Sequence, residues 1–122
     1  MVMLVFAVAA FFFGMGIVAL VQPERVVRYF GTNELTVDGR NEVRAVYGGF
    51  GVAMGLLLLV SMSIDPIRPG VLLCLAVALL GMAIGRVISR SVDGRAGFYP
   101  WFYLGVEVLL SVALLAALFL SR

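Results

Sequence analysis

With 122 residues, 63% of them hydrophobic and 13% charged, and a mean hydropathy of +1.12, the chain is too apolar for a soluble domain, which runs at about 45–50% apolar. Its nine basic residues are all arginine and lie scattered at the ends of apolar runs, so a net charge of +2 builds no face that could track phosphates, and nucleic acid is set aside as a partner. The absence of histidine and the single Cys74 remove the usual axial ligand of haem, the commonest zinc ligand, the commonest general base at neutral pH and any internal disulfide, and no metal site is expected.

Met1 to Val21 is an uninterrupted apolar run of bilayer-spanning length, closed by Gln22 and Pro23. A signal peptide fits it poorly, because no charged region precedes the run, the run is too long and no small-x-small site ends it. It is read as the first membrane helix. From Pro23, an apolar set of Val26, Val27, Tyr29 and Phe30 is mixed with Glu24, Arg25 and Arg28, and the segment stops at Gly31. Proline suits a first helical position, and the length and polarity suit a half-submerged interfacial turn rather than a span. Asn33 to Arg40 reads as a polar loop with an Asp-Gly turn at Asp38 and Gly39.

The second helix is predicted from about Asn41 to Met62. Arg44, Gly48, Gly51 and Gly55 recur at helical spacings and form one stripe, a face where another helix comes close with a charge held at its edge. Ser63 to Gly70, with Pro66 and Pro69, is a turn short enough to join only antiparallel neighbours. The third helix, about Val71 to Ile88, carries Gly81 and Gly85 as a GxxxG packing pair with Arg86 directly after it. Ser89 to Gly97 is the next loop, again with an Asp-Gly turn, at Asp93 and Gly94. Phe98, Tyr99, Trp101, Phe102 and Tyr103 then form an aromatic belt, and the fourth helix runs on to Leu120. The expectation is an all-α integral membrane four-helix bundle, one domain over 1–122, with spans at about 1–21, 41–62, 70–89 and 99–120 and a short interfacial segment after the first.

VDGR occurs twice, at Val37 to Arg40 and Val92 to Arg95, each time just before an even-numbered helix. Duplication of a helix pair would explain it, and so would two Asp-Gly turns meeting similar demands. Gly48 to Gly55 is not a dinucleotide fingerprint, since its spacing is wrong by one and no strand precedes it. Arg25, Arg28, Arg40, Arg44, Arg86, Arg90 and Arg95 fall on the side of the first and third loops, against Arg68 and Arg122 on the other. The positive-inside rule makes the arginine-rich side cytoplasmic and puts both termini on the outer face.

Glu107 lies about eight residues into the last helix, roughly 12 Å from its arginine-rich end and close to the bilayer midplane. An unpaired carboxylate there would cost several kcal/mol or take up a proton. Side chains lean toward their own helix N-terminus, which brings Arg86 and Glu107 to one depth on antiparallel helices and leaves Arg44 shallower, near Asp93. Tyr103 and Ser111 share the face of Glu107, and Tyr47 offers a third hydroxyl from the second helix. The expected ligand-binding or polar cluster is therefore Arg44, Tyr47, Arg86, Asp93, Tyr103 and Glu107. It reads as an ion pair fixing helix register, as a pocket for the polar head of a lipophilic molecule, or as a proton-handling site with Glu107 the one candidate catalytic residue.

NEVRAVYGG at Asn41 to Gly49, GRVISRSVDG at Gly85 to Gly94 and the glutamate of the last helix resemble the signature positions of a bacterial family filed as domain of unknown function 4345. That family consists of small four-helix membrane proteins and is similar to the wider DoxX-like group. The resemblance covers nearly the whole chain and marks Arg44, Tyr47, Gly48, Gly49, Gly85, Arg86, Asp93, Gly94 and Glu107. A proline expected after the second Asp-Gly is replaced by Arg95 and Ala96, which leaves the shape of that loop open. The family implies a fold without an established activity. DoxX-like relatives are associated with membrane oxidoreductase assemblies and quinone chemistry, which implies a partner complex or a quinone-like ligand by analogy only.

The leading functional expectation is a multi-pass membrane protein without its own catalysis, either an accessory subunit of a larger membrane complex or a binder of a lipid-like or quinone-like molecule. Its partners would be membrane lipid, a larger complex or a second copy, and a lipid or quinone would be the one bound cofactor. The rival is a membrane enzyme or redox partner acting on a lipophilic substrate through Arg86 and Glu107, with Tyr47 or Tyr103 as hydroxyl donor. A transporter built from four helices would need to oligomerise.

Overall fold

The computed structural model describes residues 1–122. Four helices are long and apolar enough to cross a membrane: Val2–Val21 (α1), Val37–Ser61, Arg68–Asp93 (α5) and Phe98–Leu120 (α6). The second of these spans is composite, with α3 (Val37–Val43), a π-helical turn (Arg44–Gly49) and α4 (Phe50–Ser61) following one another without a break. Large apolar side chains such as Phe6, Val77, Ile84, Leu109 and Phe119 stand more than half exposed around the bundle, an arrangement that suits lipid and would be costly in water.

The spans form a ring in which the first packs on the second, the third on the fourth and the fourth on the first, while the second and third touch least. Glycines set the tightest of these seams. A Cβ at Gly16 would fall 2.8 Å from the carbonyl oxygen of Gly48, and one at Gly51 would fall 3.0 Å from that of Phe12. At Gly48 an added Cβ would meet Leu20, and at Gly55 it would meet Phe13, so α1 and the second span lie nearly backbone on backbone. Gly16, which the glycine stripe of the second helix did not announce, is the matching notch on α1. Arg44 continues the stripe, and its Nε donates to the Leu20 carbonyl at 2.9 Å, satisfying an acceptor in the last turn of α1.

Gly81 and Gly85 behave otherwise. No atom lies within 4 Å of a Cβ built on either, so they are not a packing pair, and the third and fourth spans meet on a different face. Ser111 also departs from the expected cluster, because its Oγ donates to the Ala76 carbonyl at 2.9 Å and pins α6 to α5. Periodicity finds a face but not the neighbour it meets.

The two VDGR tetrapeptides have opposite fates. The first opens a helix: Thr36 is the N-cap, its hydroxyl accepts from the Gly39 amide at 3.0 Å, and Asp38 sits in the first turn. The second ends one, since α5 continues through Asp93 and Gly94 closes it with φ +83°, a conformation that favours glycine. Neither is the free Asp-Gly turn that the dipeptide suggested, and the second helix is about one turn and the third about two turns longer than expected. Before the second span, Pro23–Arg28 forms the short helix α2, with proline in its first turn. Val26 and Val27 are buried with Ala19 and Val43, so α2 is docked beneath the bundle. At the opposite end, Arg68 donates to the carbonyls of Ser61 and Met62 and pairs with Asp65, fixing the turn between the second and third spans.

Packing divides the bundle into a solid half and a hollow half. Val5, Val8, Leu58, Leu72, Leu75, Leu114 and Ala117 belong to one continuous core, and all lie toward the end that holds the termini. The arginine-rich half encloses a cavity instead.

Candidate functional site

The cavity has a volume of about 870 Å³, inside the range of about 300–1,000 Å³ usual for small-molecule sites, and all four spans line it. Along α5 it reaches from Leu79 past Arg86 to Asp93, roughly 21 Å at 1.5 Å per residue. Its floor is apolar, with Phe11, Phe12 and Leu79, Val106 stands in the wall beside Glu107, and its rim carries Ser89, Arg90, Asp93 and Arg95. Gly85 faces this space, which is why nothing opposes its missing side chain.

Between floor and rim stands the ion pair. Arg86 Nε donates to both carboxylate oxygens of Glu107, at 3.0 and 2.8 Å, and Nη2 donates to Oε1 at 2.7 Å. Antiparallel packing places Arg86 seven residues from the end of α5 and Glu107 nine residues from the start of α6, which puts both at one depth. Glu107 is the one charged residue that the fold buries, and the fork-to-carboxylate geometry supplies the partner such burial requires. The Arg86 guanidinium also lies over the Tyr103 ring, 5.5 Å from its centroid, within cation–π range.

Tyr47 and Tyr103 line the same space, and neither hydroxyl has a hydrogen-bond partner within the protein or is buried without one. Tyr47 is carried by the π-helical turn. Such turns are frequent at functional sites because the extra residue re-aims side chains that a regular helix would place elsewhere. Phe30 bridges the two tyrosines, with its ring centroid 6.2 Å from each, and Tyr29 packs on Tyr99 at 4.8 Å. The segment after α2 is thereby an aromatic strap across one side of the cavity.

Of the six residues of the expected cluster, Tyr47, Arg86, Asp93, Tyr103 and Glu107 line the cavity, and Arg44 does not. The difference at Arg44 is azimuthal, since it shares the glycine face and so points at α1. Sequence reasoning missed Phe30, Ser89, Arg90 and Arg95 as lining residues. Ser89, Arg90 and Asp93 follow Leu79, Met82 and Arg86 at steps of three and four, so the stripe on α5 was present to be read.

A family model described as a domain of unknown function (DUF4345) matches residues 1–118, and the chain belongs to that family. No curated protein and no solved structure matches it.

Proposed function

We propose that the chain is a non-catalytic membrane protein of a bacterial cytoplasmic membrane that binds one lipid-like or quinone-like molecule in the cavity. Its polar end would lie toward Tyr47, Tyr103 and the rim, and its apolar part would lie on Phe12, Leu79 and Val106. The observation that carries this reading is the cavity's two-ended character, a large apolar floor under a few convergent polar groups. The hydroxyls without protein partners supply donors for a carbonyl, carboxylate or phosphate. An acid–base role for Glu107 has less support, because both carboxylate oxygens are already engaged by Arg86.

The position of Gly85 provides a test that spares the fold. Gly85→Leu projects a side chain into the cavity without meeting another atom at its Cβ, and Gly81→Leu makes the same change outside the cavity lining. In a mild detergent, a lipophilic molecule identified by mass spectrometry should accompany the parent and the Gly81→Leu protein at about one per chain, and should be lost from Gly85→Leu, with all three unfolding cooperatively. Copurification of a protein subunit in place of a small molecule would support the accessory-subunit role instead. Retention of the same molecule by Gly85→Leu would place it outside the cavity.

A further inference from the structure

We propose that the molecule bound in the cavity is an anionic amphiphile, its carboxylate or phosphate head held at the rim by Arg90 and Arg95 with the free edge of Arg86 beneath; this rests on the cavity being a ligand site. The charge inventory leads there. Arg86, Arg90 and Arg95 line the cavity with two carboxylates, Asp93 and Glu107. Glu107 is taken up by the Nε and Nη2 edge of Arg86, and Nη1 makes no hydrogen bond to protein. Neither Arg90 nor Arg95 has a carboxylate within ion-pair distance, and Asp93 pairs with nothing.

Two other arginines at this end of the bundle are held by protein acceptors, while Arg25 makes one bond of 3.4 Å to Gln22 and Arg28 stands outside the cavity without a partner. Arg40 donates to the Leu35 carbonyl at 2.9 Å and lies 3.6 Å from Glu24, and Arg44 holds the Leu20 carbonyl. A general excess of arginine on one side of a membrane accounts for Arg25 and Arg28, which lie outside the cavity. Arg86, Arg90 and Arg95 instead line one concavity with an apolar floor, as a head group's counter-charge should.

The route of entry fits the same ligand. Val46, Phe50 and Met82 line the cavity and are 51%, 44% and 48% exposed, and they belong to the second and third spans, the neighbours that touch least. An acyl chain can pass sideways between these spans from the bilayer while the head stays at the rim. A water-soluble anion would have no use for the apolar floor, and a neutral lipid would make no use of the guanidinium groups.

Four twelve-carbon probes with one tail separate these cases: dodecanoate, dodecyl phosphate, dodecanol and dodecyltrimethylammonium, each titrated into the protein in a neutral detergent and read by thermal unfolding. Dodecanoate or dodecyl phosphate should raise the unfolding temperature at concentrations at least about tenfold below those needed for the other two. Preference for the phosphate would indicate a phospholipid-type head, and preference for the carboxylate a fatty acid. In Arg90→Gln, Arg95→Gln the anionic probes should weaken by about tenfold or more, while dodecanol should change by less than about twofold. Added salt should weaken the anions alone on the parent protein, which tests the charge without any variant. Equal response to all four heads, with all lost in Gly85→Leu, would overturn the anionic ligand and leave the cavity reading intact. Probe responses unchanged by Gly85→Leu would overturn both.

Discussion

At the scale of single residues, the pair of Arg86 and Glu107 is the most consequential feature of the bundle, and its energetics are lopsided. The Glu107 side chain is 9% exposed and that of Arg86 27%, so losing the cation strands a carboxylate in apolar surroundings. Arg86→Met should therefore destabilise the protein by about 3 kcal/mol, toward the lower end for a buried pair because Arg86 keeps contact with the cavity. Arg86→Met combined with Glu107→Leu removes both charges and should recover most of that loss, since an apolar pair of similar volume is often neutral or better. Thermal unfolding of both variants in one detergent decides it; a double variant as unstable as the single one would mean that Arg86 matters through Tyr103 and the cavity wall. This pair was legible in the sequence, because depth in a membrane helix follows from counting residues and the lean of side chains is fixed by helix direction. Arg44 was legible as part of the glycine face but not in its partner, because which neighbour meets that face leaves no trace in the spacing of one helix.

At the scale of elements, the same dipeptides and spacings take different meanings from their surroundings. Gly48, Gly51 and Gly55 are notches for α1, whereas Gly81 and Gly85, spaced as a membrane packing motif, face open space. Gly51→Leu should cost about 2–3 kcal/mol, because its Cβ would meet the Phe12 carbonyl and the Gly16 backbone, neither of which can turn aside as a side chain can. Gly81→Leu should leave the unfolding temperature nearly unchanged. Comparable losses at both positions would mean that glycine acts through helix flexibility rather than through close approach. The four spans and their order were legible from hydropathy alone, while their ends were misplaced at VDGR. Local turn chemistry is outvoted there, once by the Thr36 cap that starts a helix before Asp38 and once by a long helix whose ladder carries on to Gly94.

For the whole molecule, the division into a packed half and a hollow half turns orientation into a functional matter. Once Arg44 and Arg86 are assigned to contacts inside the bundle, Arg25, Arg28, Arg40, Arg90 and Arg95 remain at the hollow end against Arg68 and Arg122 at the other. Arg68 is itself held by the turn that it stabilises. We propose on this balance that the hollow end faces the cytoplasm. The rim would then meet the leaflet whose anionic lipids carry a negative surface potential, and the seam between the second and third spans would open within that leaflet. In a Cys74→Ser background, Ala96→Cys should react with a membrane-impermeant maleimide only after the membrane is opened, and Ile64→Cys, on the exposed turn at the packed end, should react in intact cells. The reverse pattern would put the arginines outside, and the cavity would then draw on the outer leaflet. Labelling at both sites in intact cells would indicate dual insertion, in which case the arginine excess is present for the ligand and does not set the topology.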